Sequence, residues 1–207
     1  MVIPRGKSVY TSGMTFGILS DSAIQAAIEA GDISIDPFNP KQLNPASYDL
    51  TLGSEVRVYT DWVEGGWDAL TPNAEALDIR KELRTKTLNI SADEGIVLQP
   101  KIGYLMHTRE RVCSRKYNPV LDGKSSIARL FIQVHAAGYG DIGFDGNYTL
   151  EVTVVHPIRV YPGMRIAQMR FHTIAGEVAE TYDKVGHYTG VFAQGAIASQ
   201  AWRQFKT

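Results

Sequence analysis

AAGYGDIGFDGNYTLEV, residues 136–152, sets Gly138, Gly140 and Gly143 in the spacing G-x-G-x-x-G. That spacing holds a dinucleotide only where a strand feeds it and a helix opens at its last glycine, so that amides and the helix dipole meet the pyrophosphate. Here Phe144-Asp145-Gly146-Asn147 follows, a second turn by its composition. Tyr148, Leu150, Val152 and Val154 then alternate with Thr149, Glu151 and Thr153, and Val155 closes the run. This is strand periodicity with β-branched and aromatic residues and no helical spacing. The stretch reads as a glycine-rich turn entering a strand, and the dinucleotide reading is rejected.

The flanking sequence carries the same rhythm. GIVLQPKIGYLMHTRERV and LDGKSSIARLFIQVHAAG precede it, and HPIRVYPGMRIAQMRFHTI follows with a turn at Pro162-Gly163. Short strands spaced this evenly, mostly without helices between them, predict an antiparallel sandwich or barrel. Toward the N-terminus, LSDSAIQAAIEAGDI (19–33) predicts a helix capped by Ser20 or Asp21, with Ile24, Ala27 and Ile28 as its apolar stripe and Gly31 as its stop. DPFNPKQLNP is a proline-spaced connector, and SYDLTLGSEVRVYT (47–60) a strand kinked at Gly53. Residues 61–92 form a polar excursion with room for a short helix around Ala74 to Leu83. The tail, YDKVGHYTGVFAQGAIASQAWRQFKT, shows no clear period and is either disordered or held down by something outside its own fold. The expected organisation is an N-terminal extension (1–18), a β domain (19–180) and a C-terminal tail or lid (181–207).

Bulk composition narrows the function. The 207 residues carry a net charge of −1, so the field of the whole chain does not gather nucleic acid, and an anionic ligand must meet a local cluster. The densest basic run, Arg109, Arg111, Arg115 and Lys116, reads as a solvated face. No apolar run approaches the roughly 20 residues that span a bilayer, so no membrane is expected. The N-terminus lacks the continuous apolar core of a secretory signal. The single cysteine, Cys113, rules out an internal disulfide framework and fits a reducing compartment, which points to the cytoplasm of the cell or of an infected host. His107, His135, His156, His172 and His187 show no H-x-x-H or H-E-x-x-H spacing, so they read as structural rather than as a zinc site.

Three places could carry chemistry. GKSSIAR (123–129) is not a P-loop, because the earlier glycine would fall at Asn118. Even so, Lys124, Ser125 and Ser126 put an ammonium and two hydroxyls side by side, the groups that hold phosphate oxygens. One helical turn there would place Ser125 and Arg129 on a shared face, although the local sequence alone favours a basic turn followed by a buried strand. Glu151 lies on the Thr149/Thr153 face of its strand, either as a solvent-facing carboxylate or as a proton-transfer group in a cleft. Asp141, in the glycine-rich turn, could position water or a sugar hydroxyl, or cap the backbone.

Four ordered segments resemble the dCTP deaminases of the trimeric dUTPase superfamily, from about Leu19 to Ser199. LSDSAIQAAIEAGDISIDPFNPKQLNPASYDLTLG is similar to that family's N-terminal segment. GKSSIARL is similar to its G-(R/K)-S-S-x-x-R-L motif, the opening stretch to its A-G-x-x-D-x-G-F-x-G-x-x-T-L-E motif, and PGMRIAQM to the segment that follows. The resemblance implies a mainly β, dUTPase-like distorted antiparallel barrel or jelly roll with a few short helices, including one near the N-terminus. It also implies a homotrimer with active sites between subunits, dCTP and dUTP as substrates, and Mg²⁺ bound through the substrate phosphates with no protein-held metal. By the same resemblance Glu151, Ser125, Arg129 and Asp141 would be catalytic. Lys124, Ser126, Ala137, Gly138, Tyr139, Thr149, Leu150, Gln168, Tyr182, His187 and Tyr188 would bind substrate. The glycines would shape a hairpin beside sugar and base, and the following strand would present the glutamate.

Ala137-Gly138-Tyr139 resembles the branch that also hydrolyses dUTP to dUMP and pyrophosphate. A deaminase releasing dUTP, and a non-catalytic trimeric binding protein of the same fold, are the alternatives. The chain departs from the pattern in three places: the stretch between Arg129 and Ala137 is one residue short, Gly140 stands where an aliphatic residue usually precedes the aspartate, and the tail's K-Y-x-x-Q appears as His187-Tyr188-Thr189-Gly190-Val191; the extension before Leu19 and the 61–92 excursion have no counterpart in it.

Overall fold

The computed structural model describes residues 17–60, 77–135, 138–186, 188 and 194–206. The first helix among the described residues is α1 (Asp21–Glu29), where the Ser20 hydroxyl accepts the Ala23 N–H and Gly31, at φ +77°, ends the helical run. Ile24 and Ala27 are its buried stripe, as the spacing predicts. Strand β1 (Ile33–Asp36) follows, then a 3₁₀ turn (Pro40–Gln42), β2 (Leu43–Asn44) and β3 (Ser47–Thr51). The strand expected over 47–60 is in fact two, because the chain breaks at Gly53 and resumes as β4 (Glu55–Tyr59). A side chain at Gly53 would run into the His107 ring. The helix expected around Ala74 to Leu83 is absent from its described part, 77–83, which forms a turn and coil; residues 74–76 lie outside the described residues.

Among the described residues the remaining elements are β5 (Thr85–Asn89), β6 (Ile96–Leu98), β7 (Tyr104–Ser114), β8 (Asn118–Gly123), the one-turn helix α2 (Ser125–Ala128), β9 (Ile132–Val134), β10 (Asp145–Val154), β11 (Ile158–Val160), β12 (Arg165–His172), α3 (Tyr182–Val185) and a 3₁₀ turn at Ala201–Phe205. All strand pairings are antiparallel. One sheet runs β5-β4-β7-β10-β9 with β1 also on β7, a second runs β2-β3-β12-β8, and β11 pairs with β6. The fold is mainly β with few helices, as expected.

Period-two burial builds the core. β10 alternates partly buried and buried side chains from end to end, so Leu150, Val152 and Val154 enter the core and Thr149, Glu151 and Thr153 stay on the other face. Met106, Leu150, Ile166, Met169 and Phe171 are fully buried between the sheets, each worth about 1.5–3 kcal/mol relative to exposure. β3 is buried on both faces. Tyr48 and Leu50 face the core, while Ser47, Asp49 and Thr51 are polar and enclosed, so their groups must find partners inside the protein.

The glycine-rich stretch departs from expectation in one respect. Phe144-Asp145-Gly146-Asn147 is not a second turn: Asp145 already pairs with Cys113 and Gly146 with Val112, so the strand starts three residues early. The glycines serve packing and turn geometry. A Cβ at Gly138 would strike the Leu121 carbonyl, and Gly143 adopts φ +91° with Asp183 Oδ1 2.6 Å from where its Cβ would stand.

Candidate active site

β10 carries Glu151 on its partly buried face, between Thr149 and Thr153 and opposite Leu105 of β7. The backbone is held on both sides: the Glu151 carbonyl accepts the His135 N–H at 2.8 Å. Burial raises the Glu151 carboxyl above the ordinary glutamate value, opposed by its own backbone N–H and by the charge of His135. A half-buried carboxyl with raised proton affinity suits a group that must take up and give back protons.

Glu151 lines a cleft of about 590 Å³, within the range of small-ligand sites. Its walls are aromatic. Phe144 meets Tyr148 edge-on at 4.7 Å and Tyr182 at 5.8 Å between ring centroids, and Tyr139, Tyr59 and Tyr188 complete the rim. Asp141 and Thr149 open into the same space. Of the residues expected at the site, then, Glu151, Asp141, Tyr139, Thr149, Tyr182 and Tyr188 share one cleft.

Other expected residues lie elsewhere. Leu150 is fully buried in the core, because strand alternation turns it to the face opposite Glu151, so its side chain cannot meet a ligand there. Gly138 lies under Leu121, whose N–H its carbonyl accepts at 2.7 Å. Ser125, Ser126 and Arg129 are exposed on and just after α2, and the Arg129 N–H bonds the Ser125 carbonyl at 3.2 Å, confirming the single turn. None of them lines the Glu151 cleft. Gln168 of β12 lines a second hollow of about 560 Å³ bordered by Gly123, Ala128 and Phe131. Lys124 is partly buried, its ammonium bonded to both Asp49 oxygens. Ala137 and His187, with Val191, lie outside the described residues.

The tail corrects another expectation. Its described part, 194–206, is held by its own chain. The Gly195 N–H donates to Asn147 Oδ1 at 3.3 Å, Ile197 N–H to Thr149 Oγ1 at 3.1 Å, Ser199 N–H to the Tyr59 hydroxyl at 2.9 Å and Gln200 N–H to the Tyr188 hydroxyl at 3.0 Å. Side-chain oxygens on the cleft face thus replace a neighbouring strand as acceptors, and Ile197 and Ser199 become part of the cleft wall. Sequence reasoning missed Tyr59, Asn147, Phe144, Ile197 and Ser199. Asn147 and Phe144 stood in the motif and could have been found there. Tyr59 and the tail meet only through contacts 140 residues apart, which no local pattern announces.

Among the described residues no three or more His, Cys, Asp or Glu side chains are grouped to hold a metal ion, and no helix is long and apolar enough to cross a membrane.

Comparison with known proteins is consistent with this geometry. A family model described as dCTP deaminase-like matches residues 18–174. A Clostridium acetobutylicum protein named dCTP deaminase, dUMP-forming, is 44% identical over 161 residues, covering 77% of this chain and 84% of that one. One of the same name from Hathewaya histolytica is 41% identical over 176 residues, covering 84% and 94%. Among solved structures, the 2′-deoxycytidine 5′-triphosphate deaminase of Agrobacterium tumefaciens superimposes with a TM-score of 0.56 at 26% identity, covering 80% of this chain and 51% of that one.

Proposed function

The chain belongs to the dCTP deaminase-like family, and on that premise we propose that it is a dUMP-forming dCTP deaminase. In this reading it converts dCTP and water to ammonia and dUTP, then dUTP and water to dUMP and pyrophosphate. The observation that carries the reading is the Glu151 carboxyl, half-buried in an aromatic-walled cleft with its proton affinity raised.

In the first step water adds to C4 of cytosine while Glu151 removes its proton. The same carboxyl passes protons to N3 and to the departing amino group, which leaves as ammonia. A carboxyl with raised affinity for protons is matched to both halves of that transfer. The rings of Phe144, Tyr182 and Tyr188 line the cleft and would offer flat faces to a base and sugar. Ser125 and Arg129 would orient the attacking water and offset the carboxylate charge. They lie outside the cleft of their own chain, which supports a homotrimer whose sites are completed by a neighbouring subunit. In the second step Asp141, on the rim, would position water in line with the α-phosphorus.

The triphosphate would lie against Lys124, Ser125 and Ser126 of the neighbouring chain. The donor set fits an ion brought in by the substrate, since Mg²⁺ commonly binds through phosphate oxygens and water with few protein ligands. Bound there, Mg²⁺ would offset phosphate charge in both steps. The reading is zinc-independent: zinc deaminases use H-x-E with P-C-x-x-C ligands, and this chain has one cysteine. The single cysteine suits a reducing compartment, which supports a location in the cytoplasm, of the cell or of an infected host.

Incubation with dCTP and Mg²⁺, following ammonia, dUTP, dUMP and pyrophosphate, tests the proposal. Ammonia with dUMP is expected. Ammonia with accumulating dUTP would leave a deaminase alone, and bound nucleotide without ammonia would overturn the enzymatic reading.

A further inference from the structure

Strand β3 carries a carboxylate that the mechanism above does not use. Asp49 is fully buried, yet three donor groups converge on it. Lys124 Nζ lies 2.8 and 2.9 Å from its two oxygens, Asn44 Nδ2 lies 3.0 Å from Oδ1, and Arg165 Nη1 lies 3.1 Å from Oδ2. The backbone beneath is fixed too. The Asp49 carbonyl accepts Gln42 Nε2 at 2.7 Å, and the same amide donates to Glu110 at 2.9 Å. Glu110, itself buried, also takes the N–H and hydroxyl of Thr51 at 2.8 and 2.7 Å.

A carboxylate with no exposure is costly unless paired and hydrogen-bonded, so the network demands that Lys124 stay where it is. Lys124 immediately precedes α2, with extended backbone and no capping bond from its own side chain. Its side chain is 24% exposed, whereas Ser125 and Ser126 beside it are exposed. An ammonium has three N–H groups. With two aimed at Asp49 oxygens, one is left for an outside acceptor. Arg165, 44% exposed, is tied to the same carboxylate and to the Lys41 carbonyl at 2.9 Å. The two cations that Asp49 holds, Lys124 and Arg165, are the partly exposed members of the network, whereas the carboxylates of Asp49 and Glu110 are buried.

We propose that Asp49 is the positioning residue of the phosphate subsite: it does not touch nucleotide but holds the Lys124 ammonium, and with it Arg165, at a fixed place beside Ser125 and Ser126. The inference rests on the reading above only in taking the anion to be a triphosphate. It separates two roles that the sequence leaves merged, because Lys124 serves a buried partner before it serves a ligand.

Calorimetric binding of inorganic tripolyphosphate, dCTP and dCMP to the wild-type full chain and to Asp49→Asn, Lys124→Met and the double variant tests it. Removing one partner of a buried pair destabilises, whereas replacing both is often tolerated. Should Asp49→Asn fail to fold, Lys124→Met and the double variant carry the comparison. Each single change should weaken tripolyphosphate and dCTP about tenfold, the double no more than the weaker single, with dCMP little changed. Losses that multiply in the double variant, equal losses for dCMP, or tripolyphosphate binding untouched by Asp49→Asn and Lys124→Met would each overturn the proposal. If the tripolyphosphate pattern holds but dCTP is never deaminated, the positioning role stands and the enzymatic reading falls.

Discussion

Gly140 and Tyr148 occupy one space: a Cβ on Gly140 would stand 2.5 Å from the Tyr148 hydroxyl and 2.7 Å from the Pro119 ring. The bulk that an aliphatic residue would bring to position 140 is supplied here from across the turn. The Tyr148 hydroxyl is also buried without a hydrogen-bond partner among the described residues, and burial raises its pKa far above the ordinary tyrosine value.

Two consequences can be measured by urea unfolding. Gly140→Ala should destabilise by about 1–3 kcal/mol through overpacking, and less in a Tyr148→Phe background. Tyr148→Phe alone should be neutral or stabilising by about 1 kcal/mol, since it removes an unsatisfied buried group. A loss of stability in Tyr148→Phe would show that the hydroxyl is bonded.

Glu151 ties stability to pH with a definite sign. Because burial raises its pKa in the folded chain, folding favours the protonated carboxyl. Its contribution is therefore most favourable below the ordinary glutamate pKa and is lost as pH rises through the raised folded value. Glu151→Gln has no charge to bury, so its Tm should exceed that of the parent above this window and approach it below. Activity should follow the opposite course: the acid limb of kcat/KM should lie above the ordinary glutamate value, and Glu151→Gln should cost about 10²–10⁴ in kcat. A parent–variant Tm difference that stays constant with pH would contradict the assignment.

The tail is fastened by single hydrogen bonds that can be cut one at a time. Tyr59→Phe keeps the ring and removes the acceptor of the Ser199 N–H. A net loss of about 1 kcal/mol should raise tryptic cleavage at Arg203 roughly fivefold and increase KM for dCTP with kcat less affected. Unchanged cleavage would mean that the Tyr59 contact does not hold the tail.

Local pattern made much of this protein legible. Alternation in residues 148–154 assigned Glu151 to the non-core face, and Ser20 and Gly31 bounded α1, whereas at 123–129 the local sequence favoured a basic turn over the single helical turn that forms. Period two also placed Leu150 in the core, against its expected binding role. What local pattern does not contain is the partner across space. Asp49 reads as one polar residue in a strand, yet two of its three donors come from 75 and 116 positions away. The tail shows no period because its amides bond to side chains spaced along β10 and on Tyr59, rather than to a neighbouring strand. Nor could the sequence show that Ser125 and Arg129 lie outside the cleft of their own chain.

That separation can be tested by mixing two disabled proteins. Glu151→Gln and Arg129→Ala chains, each expected to release little ammonia from dCTP, are unfolded together and refolded in equal amounts. If sites form between subunits, random assembly leaves roughly a quarter of them with both residues intact, and the mixture should regain about that share of wild-type ammonia release. A mixture no more active than the sum of its parts would mean that Glu151 and Arg129 do not work together across a subunit boundary.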